Sequence, residues 1–230
     1  CVAGGIALQL LREKGIEIHG HLKQVGTIQD APINMVHPDM KALASIATEP
    51  IAMIDPQKRN EVETLVMNLK KDGDSTGGIV EVVATGLPIG LGNPNFDGIE
   101  NRLARVIFGV PAIKGISFGG GFDICSRLGS EVNDAFTMDG DKITTTTNNS
   151  GGIQGGITNG LPLVMQVGIK PTPSIYKEQH SVSLSQKEDT LLTIKGRHDP
   201  CVALRAVPVI EAVTALVILD FLGDIDHELR

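Results

Sequence analysis

Glycine constrains this chain more than any other residue. It supplies 27 of 230 positions, above the average of about 7%. The glycines gather in short clusters between apolar runs, notably Gly119-Gly120-Gly121, Gly151-Gly152 and Gly155-Gly156. Such clusters make tight turns and let backbone approach closely, so glycine shapes the fold. The rest of the composition is ordinary for a globular chain: hydrophobic residues are 41% and charged residues 20%, enough to bury a core. One domain over residues 1–230 is expected. The formal net charge of −7 argues against general nucleic-acid binding. With aromatics at 3% and no Trp, stacking platforms for bases are nearly absent. The apolar run at 212–219 is closed by Glu211 and Asp220 and is too short to span a bilayer, so no membrane span is expected. Cys1, Cys125 and Cys201 are odd in number and form no C-x-x-C, which fits a reducing cytoplasm better than a disulfide framework or zinc ribbon.

The chain opens Cys1-Val2-Ala3-Gly4-Gly5, neither an initiator Met nor a signal peptide. Ile6, Leu8, Leu10 and Leu11 before Gly15 predict the last turns of a helix, so the sequence is expected to start inside an element. Residues 16–22 alternate as a strand, which puts His19 and His21 on one face. They read as a surface pair, because no third metal ligand lies near. Residues 27–54, broken by Pro32, Pro38 and Pro50, predict an irregular excursion. Asp55-Pro56 followed by Val62, Leu65, Val66 and Leu69 predicts a capped amphipathic helix ending near Gly73. Strands are predicted at 76–88, 112–118 and 161–169, with a helix at 98–108. The Thr-rich stretch 144–149 predicts a shaped loop, and 182–184 with 191–194 a hairpin. A long closing helix is expected to start at Asp199-Pro200, to bury Val202, Ala206, Val209, Val213, Leu216 and Val217, and to kink at Pro208.

The usual nucleotide signatures, G-x-G-x-x-G and Gly-Lys, are missing. Gly115-Ile116-Ser117-Phe118-Gly119 has the form of a hydrolase nucleophile elbow, with Asp199 and His227 downstream. Its alternation points instead to Ser117 as a strand residue. The two glycine pairs at 151–156 suit either a tight turn or an anion-accepting concavity. Lys170, Thr172, Ser174, Lys195, Arg197 and Arg205 add cations and hydroxyls in the same third of an acidic chain, as a site for an anionic ligand would. Arg197-His198-Asp199-Pro200-Cys201 is the densest run of chemistry. Asp199 reads first as a helix cap and second as a proton acceptor. Cys201 reads as a buried small residue ahead of an activated thiol.

Three long motifs, Gly151-Gly152-Ile153-Gln154-Gly155-Gly156-Ile157-Thr158-Asn159-Gly160, Lys170-Pro171-Thr172-Pro173-Ser174-Ile175 and Gly196-Arg197-His198-Asp199-Pro200-Cys201, occur in the order seen in chorismate synthase. Gly90-Leu91-Gly92, Pro111-Ala112-Ile113-Lys114-Gly115 and Gly121-Phe122-Asp123 are similar to the same family, so the resemblance covers essentially the whole chain. It implies an α+β protein with a β-α-β sandwich, usually a homotetramer. The implied activity is the last step of the shikimate pathway, 5-enolpyruvylshikimate 3-phosphate to chorismate and phosphate. That is a 1,4-anti elimination that requires reduced FMN. By position in the matching motifs, Pro111, Ala112, Gly155, Lys170, Pro171, Thr172, Pro173, Ser174 and Arg197 would touch FMN. Arg197 would also lie near the substrate phosphate or carboxylate, and Asp199 would relay the proton beside the flavin. No metal is implied.

The sequence departs from the family in one large respect. The Gly-Glu-Ser-His-Gly motif, a second essential histidine, several substrate arginines and a Ser-containing flavin loop have no counterpart here. The resemblance is therefore to an N-terminally truncated chorismate synthase, expected to form little or no chorismate alone. Some members reduce their flavin with NADPH, but no nicotinamide signature is legible. A catalytically silent FMN- or anion-binding module is the alternative, and a serine hydrolase using Ser117 is a distant third.

Overall fold

The computed structural model describes residues 1–228, and the side chains of residues 1–223. In chain order its strands are β1 (Glu17–Val25), β2 (Ile28–Gln29), β3 (Gly78–Thr85), β4 (Ile113–Phe118), β5 (Phe136–Asp139), β6 (Lys142–Thr145), β7 (Ile153–Gln154), β8 (Ile157–Thr158), β9 (Leu163–Ile169), β10 (Gln179–Ser183) and β11 (Glu188–Leu192). Its helices are α1 (Val2–Glu13), α2 (Met40–Ile46), α3 (Pro56–Asp72), α4 (Ile99–Ile107), α5 (Gly129–Val132) and α6 (Val207–Glu228), with 3-10 turns at Asn95–Asp97, Gly121–Ser126 and Val202–Arg205.

The Val- and Ile-rich strands form one five-stranded sheet in the order β2-β1-β3-β9-β4, antiparallel throughout. Side chains alternate across it, so register decides which face each residue joins. Ile18 and Leu22 lie level with Ala84 and Val80, and Val80 and Val82 lie level with Val167 and Met165. This face is buried with Ala7 and Leu11 of α1 and Ile210, Ala215, Ile218 and Phe221 of α6. Each such side chain contributes roughly 1.5–3 kcal/mol on leaving water. α1 and α6 approach closely at Gly4, where a Cβ would sit 2.5 Å from the Cα and 2.7 Å from the O of Ala212. On the opposite face Val83 and Val164 pack with Leu43 and Ile46 of α2.

Several expectations hold in detail. Asp55 caps α3 by accepting from Gln57 N at 2.8 Å, and Pro56 stands in the first turn. β3, α4, β4, β9 and the β10–β11 hairpin all fall within or beside their predicted spans.

Others need correction. The closing helix starts at Val207, after a separate 3-10 turn, so Asp199 does not cap it. Pro208 then lies in the first turn, where its missing N–H breaks no helical bond and causes no kink. The buried stripe matches the expected one only in part. Val217 is buried as expected, and Val202, Ala206 and Val213 pack partly buried against the core, but Val207, Ile210, Thr214, Ile218 and Phe221 are the more deeply buried residues and Leu216 is 40% exposed. The excursion at 27–54 holds β2 and α2, the latter capped by Asp39 accepting from Ala42 N at 2.9 Å. Residues 144 and 145, read as loop, close the β5–β6 hairpin.

Candidate functional site

The turn between α3 and β3, residues 73–77, gathers two of the motifs singled out in sequence. Ser75 Oγ donates to Thr172 O at 2.7 Å, Tyr176 N donates to Gly73 O at 2.9 Å, and Thr76 N donates to Pro200 O at 2.8 Å. Lys177 Nζ pairs with Asp74 Oδ2 at 2.6 Å, which holds the Asp74 carboxyl below its usual range, helped by the Ser75 amide. Segments 170–177 and 198–200 are thereby held against the same few residues. Ser174, His198 and Asp199 line one cavity of about 20 Å³ there, room for little more than a water molecule. Ala112 joins the group through its carbonyl, which accepts from Lys170 N at 3.0 Å. Ala112 carries φ +71°, uncommon for a residue with a Cβ, and follows Pro111, which is exposed.

Asp199 is held at both oxygens. Oδ1 accepts from Cys201 N at 3.2 Å, and Oδ2 pairs with Arg205 Nε at 2.9 Å. The bond to Cys201 N reaches only the residue before the 3-10 turn, which has no side-chain cap, so Asp199 caps neither that turn nor α6. His198, which had no partner legible in sequence, directs Nε2 to Ile194 O at 3.2 Å and meets the Tyr176 ring edge-on at 4.9 Å. Cys201 is fully buried, and burial pushes its thiol pKa up, so it is a packing residue.

The cations are arranged differently from Asp199. Among the described residues no carboxylate pairs with Lys170, Lys195 or Arg197, and Arg197 and Lys195 are exposed. Uncompensated charge at the edge of an acidic protein suits an anionic ligand. Pro171 and Pro173 are exposed, and Thr172 and Ser174 half-buried, along the same segment.

Gly155 lies apart from this cluster within the chain. The β7–β8 hairpin is tethered at the start of β9 by Val164 N donating to Gly151 O at 3.2 Å, whereas Lys170 leaves the other end of that strand. The two glycine pairs also divide by role. A Cβ on Gly151 would sit 2.3 Å from Gly119 N, and one on Gly152 would sit 2.5 Å from Pro162 O, so that pair serves packing. Gly155 has φ +62° and nothing within 4 Å of a Cβ position. With Gly156 it makes a two-residue hairpin turn of positive φ, open to an approaching group.

Ser117 lies within β4, level with Gln166, and a 3-10 turn follows where the elbow motif needs a helix. That geometry disfavours a nucleophile; the side chain of His227 lies outside the described residues. The reading of His19 and His21 as surface residues also fails, because both are buried. His21 Nδ1 meets Asp30 Oδ2 at 3.0 Å and Nε2 meets Glu81 Oε2 at 3.0 Å. Glu81 Oε1 in turn accepts from Lys23 Nζ at 2.7 Å and Gln166 Nε2 at 3.1 Å. Sequence gave no sign of this network, whose members lie on four separate segments.

With this geometry in hand, comparison with known proteins is decisive. Residues 1–222 match the family model "Chorismate synthase". The chain belongs to the chorismate synthase family. It is 40% identical over 232 residues to a protein of Lancefieldella parvula named chorismate synthase, covering 96% of this chain and 61% of that one. It is 39% identical over 220 residues to one from Methanothermobacter thermautotrophicus, covering 95% and 58%. A solved structure titled "Crystal Structure of Chorismate Synthase" superposes with a TM-score of 0.77 at 28% identity, over 96% of this chain and 61% of the other. The chain thus spans about three fifths of the length of these relatives, and its α+β architecture is that of the family.

Proposed function

We propose that this chain supplies the flavin-holding part of a chorismate synthase, the reduced-FMN-dependent lyase that converts 5-enolpyruvylshikimate 3-phosphate to chorismate and phosphate. The observation that carries the reading is the convergence of 170–174 and Asp199 on one turn, with Lys170 and Arg197 unpaired among the described residues and available to an anion. An FMN phosphate would be held by Lys170 and Arg197, with Thr172 and Ser174 hydroxyls and the Pro111-Ala112 turn beside it, while Gly155, apart from this cluster within the chain, would meet a different part of the ligand. Held by these residues, reduced FMN would supply electron density for cleavage of the C–O bond and an acceptor for the departing proton. Arg197 would also bind substrate phosphate or carboxylate as a bidentate fork. Asp199, oriented by Arg205 and the Cys201 amide, would serve as the proton acceptor. Assembly as a homotetramer and action in the cytoplasm belong to the same reading. Among the described residues no helix is long and apolar enough to cross a membrane.

The test is an anaerobic titration of the purified chain with dithionite-reduced FMN and 5-enolpyruvylshikimate 3-phosphate, following flavin absorbance and chorismate together. Flavin binding without chorismate is expected, because the family's histidine motifs have no counterpart in this sequence. Failure to bind flavin would remove the reading. Within the same titration, Arg197→Lys should weaken flavin binding roughly tenfold, since a point charge loses one charge-assisted hydrogen bond. Asp199→Asn keeps an acceptor for Cys201 N and removes no cation, so flavin affinity should stay within about twofold of wild type, well under a 1 kcal/mol change.

A further inference from the structure

We propose that Ser75 is a positioning residue for flavin binding, fixing segment 170–174 through the carbonyl of Thr172; the proposal rests on that segment holding FMN. Segment 170–174 has no means of fixing itself. Pro171 and Pro173 lack N–H groups, and residues 170–174 belong to no helix or strand. Its entry is tied by Lys170 N to Ala112 O, and beyond its exit Tyr176 N is tied to Gly73 O. Between those points, among the described residues, the bond from Ser75 Oγ to Thr172 O at 2.7 Å is the one hydrogen bond the segment makes.

Ser75 is itself prevented from drifting. Its amide donates to Asp74 Oδ1 at 2.8 Å, while Asp74 Oδ2 is occupied by Lys177 at 2.6 Å. The next residue, Thr76, holds Pro200 O, one position beyond Asp199. The segment also lies hard against the turn, since a Cβ on Gly77 would come 3.2 Å from Pro171 and 2.3 Å from Ile169 O. One tripeptide, Asp74-Ser75-Thr76, therefore sets where the flavin segment and the proton acceptor stand relative to each other, although neither Ser75 nor Thr76 belongs to the motifs assigned to ligands. Without the hydroxyl the segment samples several positions, and apparent affinity falls by the fraction of time spent in the binding-competent one.

The experiment compares wild type, Ser75→Ala and Ser75→Thr for reduced-FMN affinity, thermal midpoint and amide exchange at residues 172–176. The expected result is flavin binding weakened about tenfold in Ser75→Ala, the loss of roughly one hydrogen bond's worth of ordering. Exchange should quicken at 172–176, the thermal midpoint should stay near wild type, and Ser75→Thr should recover affinity. Wild type that binds flavin together with a Ser75→Ala that binds equally well overturns the positioning role alone. A Ser75→Ala that loses affinity only in step with its thermal midpoint, without rescue by Thr, also overturns it, leaving a merely structural serine. Wild type that binds no flavin overturns the reading of the segment and the proposal with it.

Discussion

Glu81→Ala is expected to lower stability by about 3–5 kcal/mol, the cost of leaving one member of a buried charged pair alone. Glu81 and His21 are 2% and 1% exposed, so water cannot replace the missing carboxylate at Nε2 of the imidazole. Lys23 Nζ loses its acceptor as well and Gln166 Nε2 keeps only Gly119 O at 3.4 Å, although Lys23, 39% exposed, can turn to solvent. The network also has a pH signature. Burial alone would lower the His21 pKa, but hydrogen bonds to Asp30 and Glu81 outweigh it and raise the group above its ordinary 6.5. Burial likewise opposes ionisation of Glu81 and Asp30, yet their bonds to His21, with Lys23 for Glu81 and backbone amides for Asp30, hold them below their ordinary 4.5 and 3.8. A raised base stabilises the fold fully below its unfolded pKa and loses that contribution as pH rises through its folded one; the lowered acids contribute above their unfolded values and lose it as pH falls. The network therefore contributes most between about pH 4.5 and 6.5. Urea midpoints of wild type and Glu81→Ala measured from pH 4 to 9 check this: their difference should be greatest inside that window and shrink on both sides. A difference that grows steadily toward pH 9 would show that His21 is neutral in the fold.

Gly119→Ala should cost roughly 2–4 kcal/mol by combining overpacking with left-handed strain. Its Cβ would fall 2.1 Å from Asn149 O and 2.4 Å from Gly151 N at φ +54°. Neither neighbour is free to retreat. Asn149 N and Ser150 N are both held by the Asp134 carboxylate, at 2.7 and 2.9 Å, and Gly151 O is held by Val164. In a domain of this size such a loss lowers the thermal midpoint by roughly 5–15 °C. Gly5→Ala is the control. Gly5 lies in α1 with nothing within 4 Å of its Cβ position, and Ala there should raise stability by up to about 1 kcal/mol. Thermal melts of the two variants should move in opposite directions.

Local signals carried the reading of most elements. The Asp55-Pro56 start of α3 and the Val-rich β3 and β9 are written in contiguous residues, and the structure places them accordingly. The β5–β6 hairpin escaped because all but two of its strand residues are exposed, so burial imposed no apolar alternation to read. The start of α6 was not legible because a 3-10 turn and an α-helix run together in sequence with only Ala206 between them. In the candidate site the motif residues were legible as types, and the fold brings Ala112, segment 170–174 and Asp199 into one neighbourhood. Their common support was not legible, since Ser75 lies far from Thr172 in sequence and a serine in a Gly- and Asp-flanked turn looks like any other. His21 was missed for the same reason: Asp30 and Glu81 become its partners only once β1 and β3 are paired.

The position of β9 governs how the polypeptide reaches its native state. β3 receives β1 on one edge early in the chain, yet its other edge waits for residues 163–169, with Val82 pairing to Met165. Until those residues arrive, the Val- and Ile-rich edge of β3 stays open, and β4 has no neighbour in the sheet. Pairings so distant in sequence carry a large loop-closure entropy before they return any stabilisation, which makes folding slow. During synthesis that open edge is a template for self-association, so the nascent chain should depend on dilution or chaperone cover until β9 has emerged.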